Sequence, residues 1–238
     1  MMMEYRFLKQ YVFMGCVTAL IVMMALGCKK GNDEILPDGT STYVKDLEGD
    51  ILASMTETPG KEVRNFYPLI FSLTDGSAHL LKNQAERDAY FKTNKWDLAF
   101  TGPYNSEVFL NNGNDQFNPG YQGPVTNTAV VMIDQAYDSV NNAPDDASFN
   151  NSEVTKIGWA SSSSSAGWFF YSLNNHICVP IKNRTYVLRL PNGKYAKLEM
   201  QNIYKGNPAV VTDLFWPAPY ISFRYYVQQD GSRNLRTK

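Results

Sequence analysis

The chain has 238 residues, with 22 Lys and Arg against 23 Asp and Glu and a net charge of −1. That balance, without a basic stripe, argues against nucleic acid as a partner, and the length is ample for one hydrophobic core. There is no phosphate-cradling glycine loop, no His-Glu-x-x-His, no Cys-x-x-Cys and no Gly-x-Ser-x-Gly elbow, so the chain is not expected to be an enzyme.

Residues 1–27 read as an export signal. Arg6 and Lys9 are followed by an uncharged run from Tyr11 to Gly27. That run is short for a membrane span, which needs roughly 20 apolar residues. It ends in Ala25-Leu26-Gly27-Cys28, which resembles a bacterial lipobox, so Cys28 is the expected lipidation site and first mature residue. Residues 28–42 are polar and read as a flexible tether. The remainder, 43–238, is expected to form a single β-rich domain. The mature chain then carries 20 basic and 22 acidic residues, and Cys178 is its only cysteine besides Cys28. Without a second free thiol to pair with, Cys178 is expected to be buried and inert.

Within the domain the signals are short and strand-like. Residues 46–55 could make a short helix. Residues 66–73 are apolar and end at a turn, Asp75-Gly76. Residues 83–93 suit a helical turn or two. Residues 95–100 alternate, with Trp96, Leu98 and Phe100 expected on one face. Residues 107–110 and 129–133 read as strands, and 111–128 as a loop rich in Asn, Gly and Pro. Residues 137–154 read as loop with a helical turn. Five serines, 161–165, read as a flexible connection.

The stretch 168–204 carries the strongest local pattern. It is expected to give three strands, a loop holding His176, and a tight turn at Pro191-Asn192-Gly193. Tyr195, Lys197 and Glu199 alternate with Ala196, Leu198 and Met200, the period of a half-buried strand. Trp216 to Pro219 is loop, and 220–228 alternates again. Many short strands with turn signals and little helical periodicity give the fold class: all-β, mostly antiparallel, with long loops.

Few residues can carry metal or cofactor chemistry. Ser72, Asp75 and His79 are too ordinary a grouping to mark a triad, and no ligand spacing marks zinc or calcium. Haem iron, which takes histidine, methionine, tyrosine or thiolate, suits what is left. The mature chain has two histidines, His79 and His176, and three methionines, Met55, Met132 and Met200. Met132 ends an apolar strand beside long loops and His176 lies in a loop, so this is the candidate axial pair for the iron.

Lys95-Trp-Asp-Leu-Ala-Phe100 is one marker segment. The second is Arg184-Thr-Tyr-Val-Leu-Arg189 together with Asn192-Gly-Lys-Tyr-Ala-Lys-Leu-Glu199. The third is the run from Tyr220 through Gln229-Asp-Gly-Ser-Arg233. Together they resemble the HmuY family, the haem-binding surface lipoproteins of Bacteroidetes. The resemblance implies an almost all-β fold in which two long loops pinch one haem and two axial side chains hold its iron. It implies a lipid anchor in the outer membrane at the cell surface, and hand-over of the cargo haem to an outer-membrane, TonB-dependent receptor. In the family one ligand comes from the region that here contains Met132. The other comes from the segment before the Arg184 strand, which here contains His176. Tyr137, Tyr171 and His79 stay open as alternatives. A non-haem ligand-binding or adhesion lipoprotein on the same scaffold is the competing expectation.

Overall fold

The computed structural model describes residues 38–212 and 214–238. The expected signal at 1–27, the lipidation site Cys28 and most of the tether lie outside the described residues. Among the described residues, no helix is long and apolar enough to cross a membrane.

In chain order the first elements are β1 (Thr42–Glu48), β2 (Ala53–Ser54), β3 (Glu62–Val63), β4 (Leu69–Phe71), β5 (Ala78–Leu80) and α1 (Gln84–Tyr90). Next come β6 (Leu98–Thr101), β7 (Glu107–Leu110), β8 (Ala129–Ile133) and α2 (Asp146–Asn150). The last are β9 (Phe169–Ser172), β10 (Ile177–Pro180), β11 (Thr185–Arg189), β12 (Tyr195–Asn202) and β13 (Tyr220–Val227). The chain is β-rich, as its patterning predicts, and apart from the short parallel pair β2–β3 its strand pairs are antiparallel.

One sheet has the order β1-β13-β12-β11-β8 and the other β5-β4-β6-β7. They pack face to face as a sandwich. Leu69, Phe71, Leu98, Phe100 and Leu110 of the second sheet meet Tyr186, Leu188, Leu198, Met200, Ile221 and Phe223 of the first. Phe71 approaches the Phe223 ring edge-on at 5.2 Å, the arrangement that aromatic quadrupoles favour. Two isolated bridges lengthen the second sheet. Ile157 pairs with Val108 on β7, and Trp159 with Phe169 on β9. The β9–β10 hairpin is thereby stitched to that sheet's β7 edge.

The expected helix over 46–55 is not formed. Thr42 to Val44, Leu47 and Glu48 pair with β13, with a bulge at Asp46, whose φ is +56°. Pairing with a strand far along the chain overrides the weak local preference. Trp96 also departs from expectation. It packs with Ile70, Leu81, Ala99 and Phe109 on the outer face of the second sheet, while Leu98 and Phe100 face the sandwich core. Its indole N–H donates to the carbonyls of Tyr90 and Phe91 at 3.0 and 3.2 Å, fastening the end of α1. The stretch 168–204 forms four strands where three were expected, because the loop with His176 is itself a hairpin tip. The turn after β11 behaves as its residues dictate: Gly193 has φ +77° and its N–H donates to the Leu190 carbonyl at 3.0 Å.

The serine run is not a loose connection. Buried Arg184 donates to the carbonyls of Ser163 (2.6 Å), Ser165 (2.9 Å) and Gly167 (2.7 Å), and pairs with Asp134 at 2.7 Å. Serine composition cannot announce this, since the bonds are made by backbone carbonyls to a distant side chain.

The polar face of the first sheet is buried too. Residues around Val140, Ala143, Phe149 and Leu235 cover Val187 and Tyr195. Lys197, expected on a solvated face, is fully buried. Its Nζ donates to the carbonyls of Tyr137 (3.0 Å) and Val140 (3.2 Å) and to Thr237 Oγ1 (3.1 Å), and lies 4.2 Å from the centre of the Tyr137 ring. Burial lowers its pKa from 10.5 to about 8. The unfolded chain would take up that proton below 10.5, the folded chain only below about 8. Stability attributable to Lys197 therefore rises with pH across that window. In urea unfolding, the wild type is expected to gain stability relative to Lys197→Met between about pH 8 and 10.5; a pH-independent difference would contradict this.

Candidate functional site

The site is built at one end of the sandwich. The pairing of β1 with β13 runs from Thr42↔Tyr225 to Glu48↔Tyr220. The chain therefore joins the domain at the Thr42 end, and the β12–β13 connection leaves from the other. At roughly 3.3 Å per residue the two ends of β1 lie about 20 Å apart. The far end carries two projections, the β9–β10 hairpin and the loop 205–217.

The hairpin forms because Phe169, Phe170 and Tyr171 are strong strand formers and Ile177, Cys178 and Val179 give them a matching partner. Its register sets Tyr171 opposite Cys178 and Ser172 opposite Ile177. Four residues, 173–176, make the tip. His176 closes it in the left-handed region at φ +56°, its N–H donating to the Ser172 carbonyl at 2.8 Å. Such a conformation is uncommon for a non-glycine residue, though histidine is among those enriched there. The hairpin root is tight. A Cβ on Gly167 would lie 2.3 Å from the Ala160 nitrogen and 2.5 Å from the Gly158 carbonyl, so only glycine fits between these two backbones.

At the tip, Tyr171 Oη lies 2.9 Å from His176 Nδ1. His176 is exposed and Tyr171 half-buried, its ring packing on the main core. Burial, with the nearby Cys178 as the smaller cause, raises the Tyr171 pKa above its ordinary value. Across the hairpin the Cys178 thiol is buried and free, as expected, and burial pushes its pKa up to about 12. It is a thiol at neutral pH. The Cys178 backbone N–H donates to Tyr204 Oη at 2.9 Å. That bond ties the hairpin to the end of β12, where the second projection begins.

The loop 205–217 is closed at its base. The Lys205 N–H donates to the Pro217 carbonyl (2.9 Å), the Trp216 indole to the Lys205 carbonyl (2.9 Å), and Asn202 Nδ2 to the Pro208 carbonyl (2.9 Å). Its outer part is apolar and exposed. Val210 is 72% exposed, Leu214 52% and Phe215 86%. On the hairpin Leu173 is 72% exposed, and Phe170 and Val179 are exposed as well. Exposed apolar side chains gathered on two neighbouring projections mark a binding surface more often than single scattered ones do. Sequence reasoning missed the loop, although Val210, Val211, Leu214, Phe215 and Trp216 between Pro208 and Pro217 give an apolar density that a solvated loop does not need.

The structure brings His176 to Tyr171. It places Met132 on edge strand β8 opposite Tyr186, half-buried against the main core. His79 is exposed on β5, its ring 5.0 Å from that of Tyr90. Tyr137 is wholly buried, with Arg224 4.1 Å from its ring centre on β13 and its hydroxyl shared with Ser41 at 2.8 Å. Among the described residues, no three His, Cys, Asp or Glu side chains come together as a metal cage.

No protein-family model matches this chain, and no curated protein does. Among the solved structures that resemble it are two from Bacteroides species. One, from Bacteroides vulgatus ATCC 8482, is described as an HmuY-like heme binding protein. It is 9% identical over 78% of this chain and 90% of its own, with a TM-score of 0.36. The other, from Bacteroides fragilis NCTC 9343, is described as a lipoprotein. It is 12% identical over 67% of this chain and 83% of its own, with a TM-score of 0.32.

Proposed function

We propose that this protein is a haem-binding lipoprotein, anchored through Cys28 in the outer membrane, that captures haem at the cell surface and passes it to a TonB-dependent uptake receptor. The observation that carries this reading is the Tyr171–His176 pair, with its 2.9 Å contact, on a projection that also exposes Phe170 and Leu173. Haem is a flat apolar ring with an iron at its centre. Its capture needs apolar side chains for the faces and one or two donor atoms for the metal. When both axial positions are filled by protein, none stays open for oxygen chemistry, which suits transfer of a cargo and not catalysis. The ligand pair nominated by the sequence is Met132 and His176.

The test is haemin added to residues 29–238 and followed by absorption. A saturable Soret shift at micromolar haemin is expected, with affinity lowered about 10-fold or more in Met132→Ala and in His176→Ala. No saturable change would sink the haem reading. Binding of a host protein or glycan that survives both substitutions would then favour the adhesion reading.

A further inference from the structure

We propose that Tyr104 is a further haem-contacting residue, its ring forming a fixed apolar wall for the porphyrin at the foot of the β9–β10 hairpin. This rests on the haem reading and adds to it a residue that acts on the macrocycle and not on the iron.

The argument starts from the turn that joins β6 to β7. Gly102 opens it at φ +67°, and Tyr104 and Asn105 follow in the left-handed region at φ +54° and +51°. That conformation is costly for an L-residue, because Cβ crowds the following carbonyl oxygen. Asn105 is accounted for. It is fully buried, its side-chain oxygen accepts from the Asp50 N–H at 2.9 Å, and its amide donates to the carbonyls of Tyr67 (2.9 Å) and Phe100 (3.1 Å). Asparagine is also one of the residues enriched in this region. Tyr104 has neither reason. The backbone bonds of the turn, from the Asn105 N–H to the Gly102 carbonyl (3.1 Å) and from the Ser106 N–H to the Pro103 carbonyl (3.2 Å), need no side chain at 104. A bulky residue kept in a strained conformation is a pointer to ligand contact, since such strain concentrates at binding sites.

The surroundings of the ring say which ligand. Tyr104 is half-buried and packs on the main core, with the Phe66 ring 4.9 Å away and tilted by 44°. Tyr171 and Cys178 of the hairpin lie close enough to act on its hydroxyl, and Tyr104 acts in turn on Tyr204, next to the loop 205–217. It therefore stands beside the bases of both projections. The turn is fastened to the hairpin as well. The Ser106 carbonyl accepts from the Trp168 indole at 2.8 Å, and Trp168 directly precedes β9. Tyr104 and Tyr171 are thus held in one frame. An aromatic ring fixed before binding offers a flat macrocycle a stacking surface without the cost of ordering a mobile side chain.

The test uses two probes on residues 29–238, haemin and iron-free protoporphyrin IX. The iron-free ring has no metal to ligate, so it reports on the wall separately from the axial ligands. Tyr104→Ala is expected to lower affinity for both probes by about 10-fold, and Tyr104→Phe, which keeps the ring, to bind both as the wild type does. His176→Ala should weaken haemin only. A wild type that binds haemin but not the iron-free ring, or a Tyr104→Ala that keeps wild-type affinity for either probe, overturns the wall. Urea unfolding checks the strain. Of the two small variants Tyr104→Gly should have the higher midpoint, since glycine is at ease at φ +54° and alanine is not. An equal or lower midpoint for Tyr104→Gly means that the ring is not held by a strained turn, and the preorganised wall fails. If the wild type binds haemin and Tyr104→Ala, Tyr104→Gly and Tyr104→Phe all match it, the wall fails alone. If the wild type binds neither probe, the functional reading fails and takes the wall with it.

Discussion

Trp168→Ala is expected to remove about 3–5 kcal/mol of stability, the cost of emptying a large buried aromatic site. Trp168 is 2% exposed, and its indole N–H donates to the Ser106 carbonyl at 2.8 Å. The substitution would leave both a cavity and an unsatisfied acceptor. Its backbone also holds the root of the hairpin, because the Trp168 N–H donates to the Gly158 carbonyl (2.8 Å) and its carbonyl accepts from Ile181 (2.9 Å). A domain of this kind has ~5–15 kcal/mol in total, so the loss is a large share. Urea unfolding measures it. Trp168→Phe, which fills much of the volume without the N–H, should cost distinctly less. Equal losses for the two would mean that packing is not the source.

Arg184→Ala is expected to cost about 2–4 kcal/mol, since it strips three carbonyls of their donor and one of them, at Gly167, is buried. The Asp134 partner contributes little to that figure, because its side chain is 57% exposed and can return to water. Arg184→Lys should recover only a minor part, because a point-charged ammonium cannot span carbonyls that the planar guanidinium reaches with separate nitrogens. The effect should extend beyond stability. With Ser163, Ser165 and Gly167 released, amide exchange in 161–167 should quicken, and so should exchange in β9, which begins two residues later. Urea midpoints together with hydrogen exchange check both claims. Unchanged exchange in the serine run would show that Arg184 does not organise it.

The candidate site was legible only in part. His176 stood out because histidine is scarce in this chain, and that was a statement about residue type. Its partner could not be read off. Tyr171 and His176 meet because the tip is four residues long and returns the chain at the register Tyr171↔Cys178. A one-residue change in that tip would turn the side chains to the opposite face. The loop 205–217 escaped notice for a related reason. Apolar residues between prolines look like core until the structure shows Phe215 and Val210 facing water.

By itself the sequence determined the elements whose signals are local. Residues 107–110 and 129–133 are strands with the expected bounds, the turn at Gly193 is where Pro191-Asn192-Gly193 puts it, and β12 and β13 alternate as written. Turn chemistry and a period of two act between neighbours, so they survive in any correct fold. The tertiary structure alone decided what covers each face. Lys197 and Arg224 lie on the polar sides of their strands, yet both are buried, because the segment around Tyr137 and the C-terminal residues close over them. Alternation says which side chains share a face. Whether water or another part of the chain meets that face depends on contacts between residues 40 to 60 positions apart, and no local pattern encodes those.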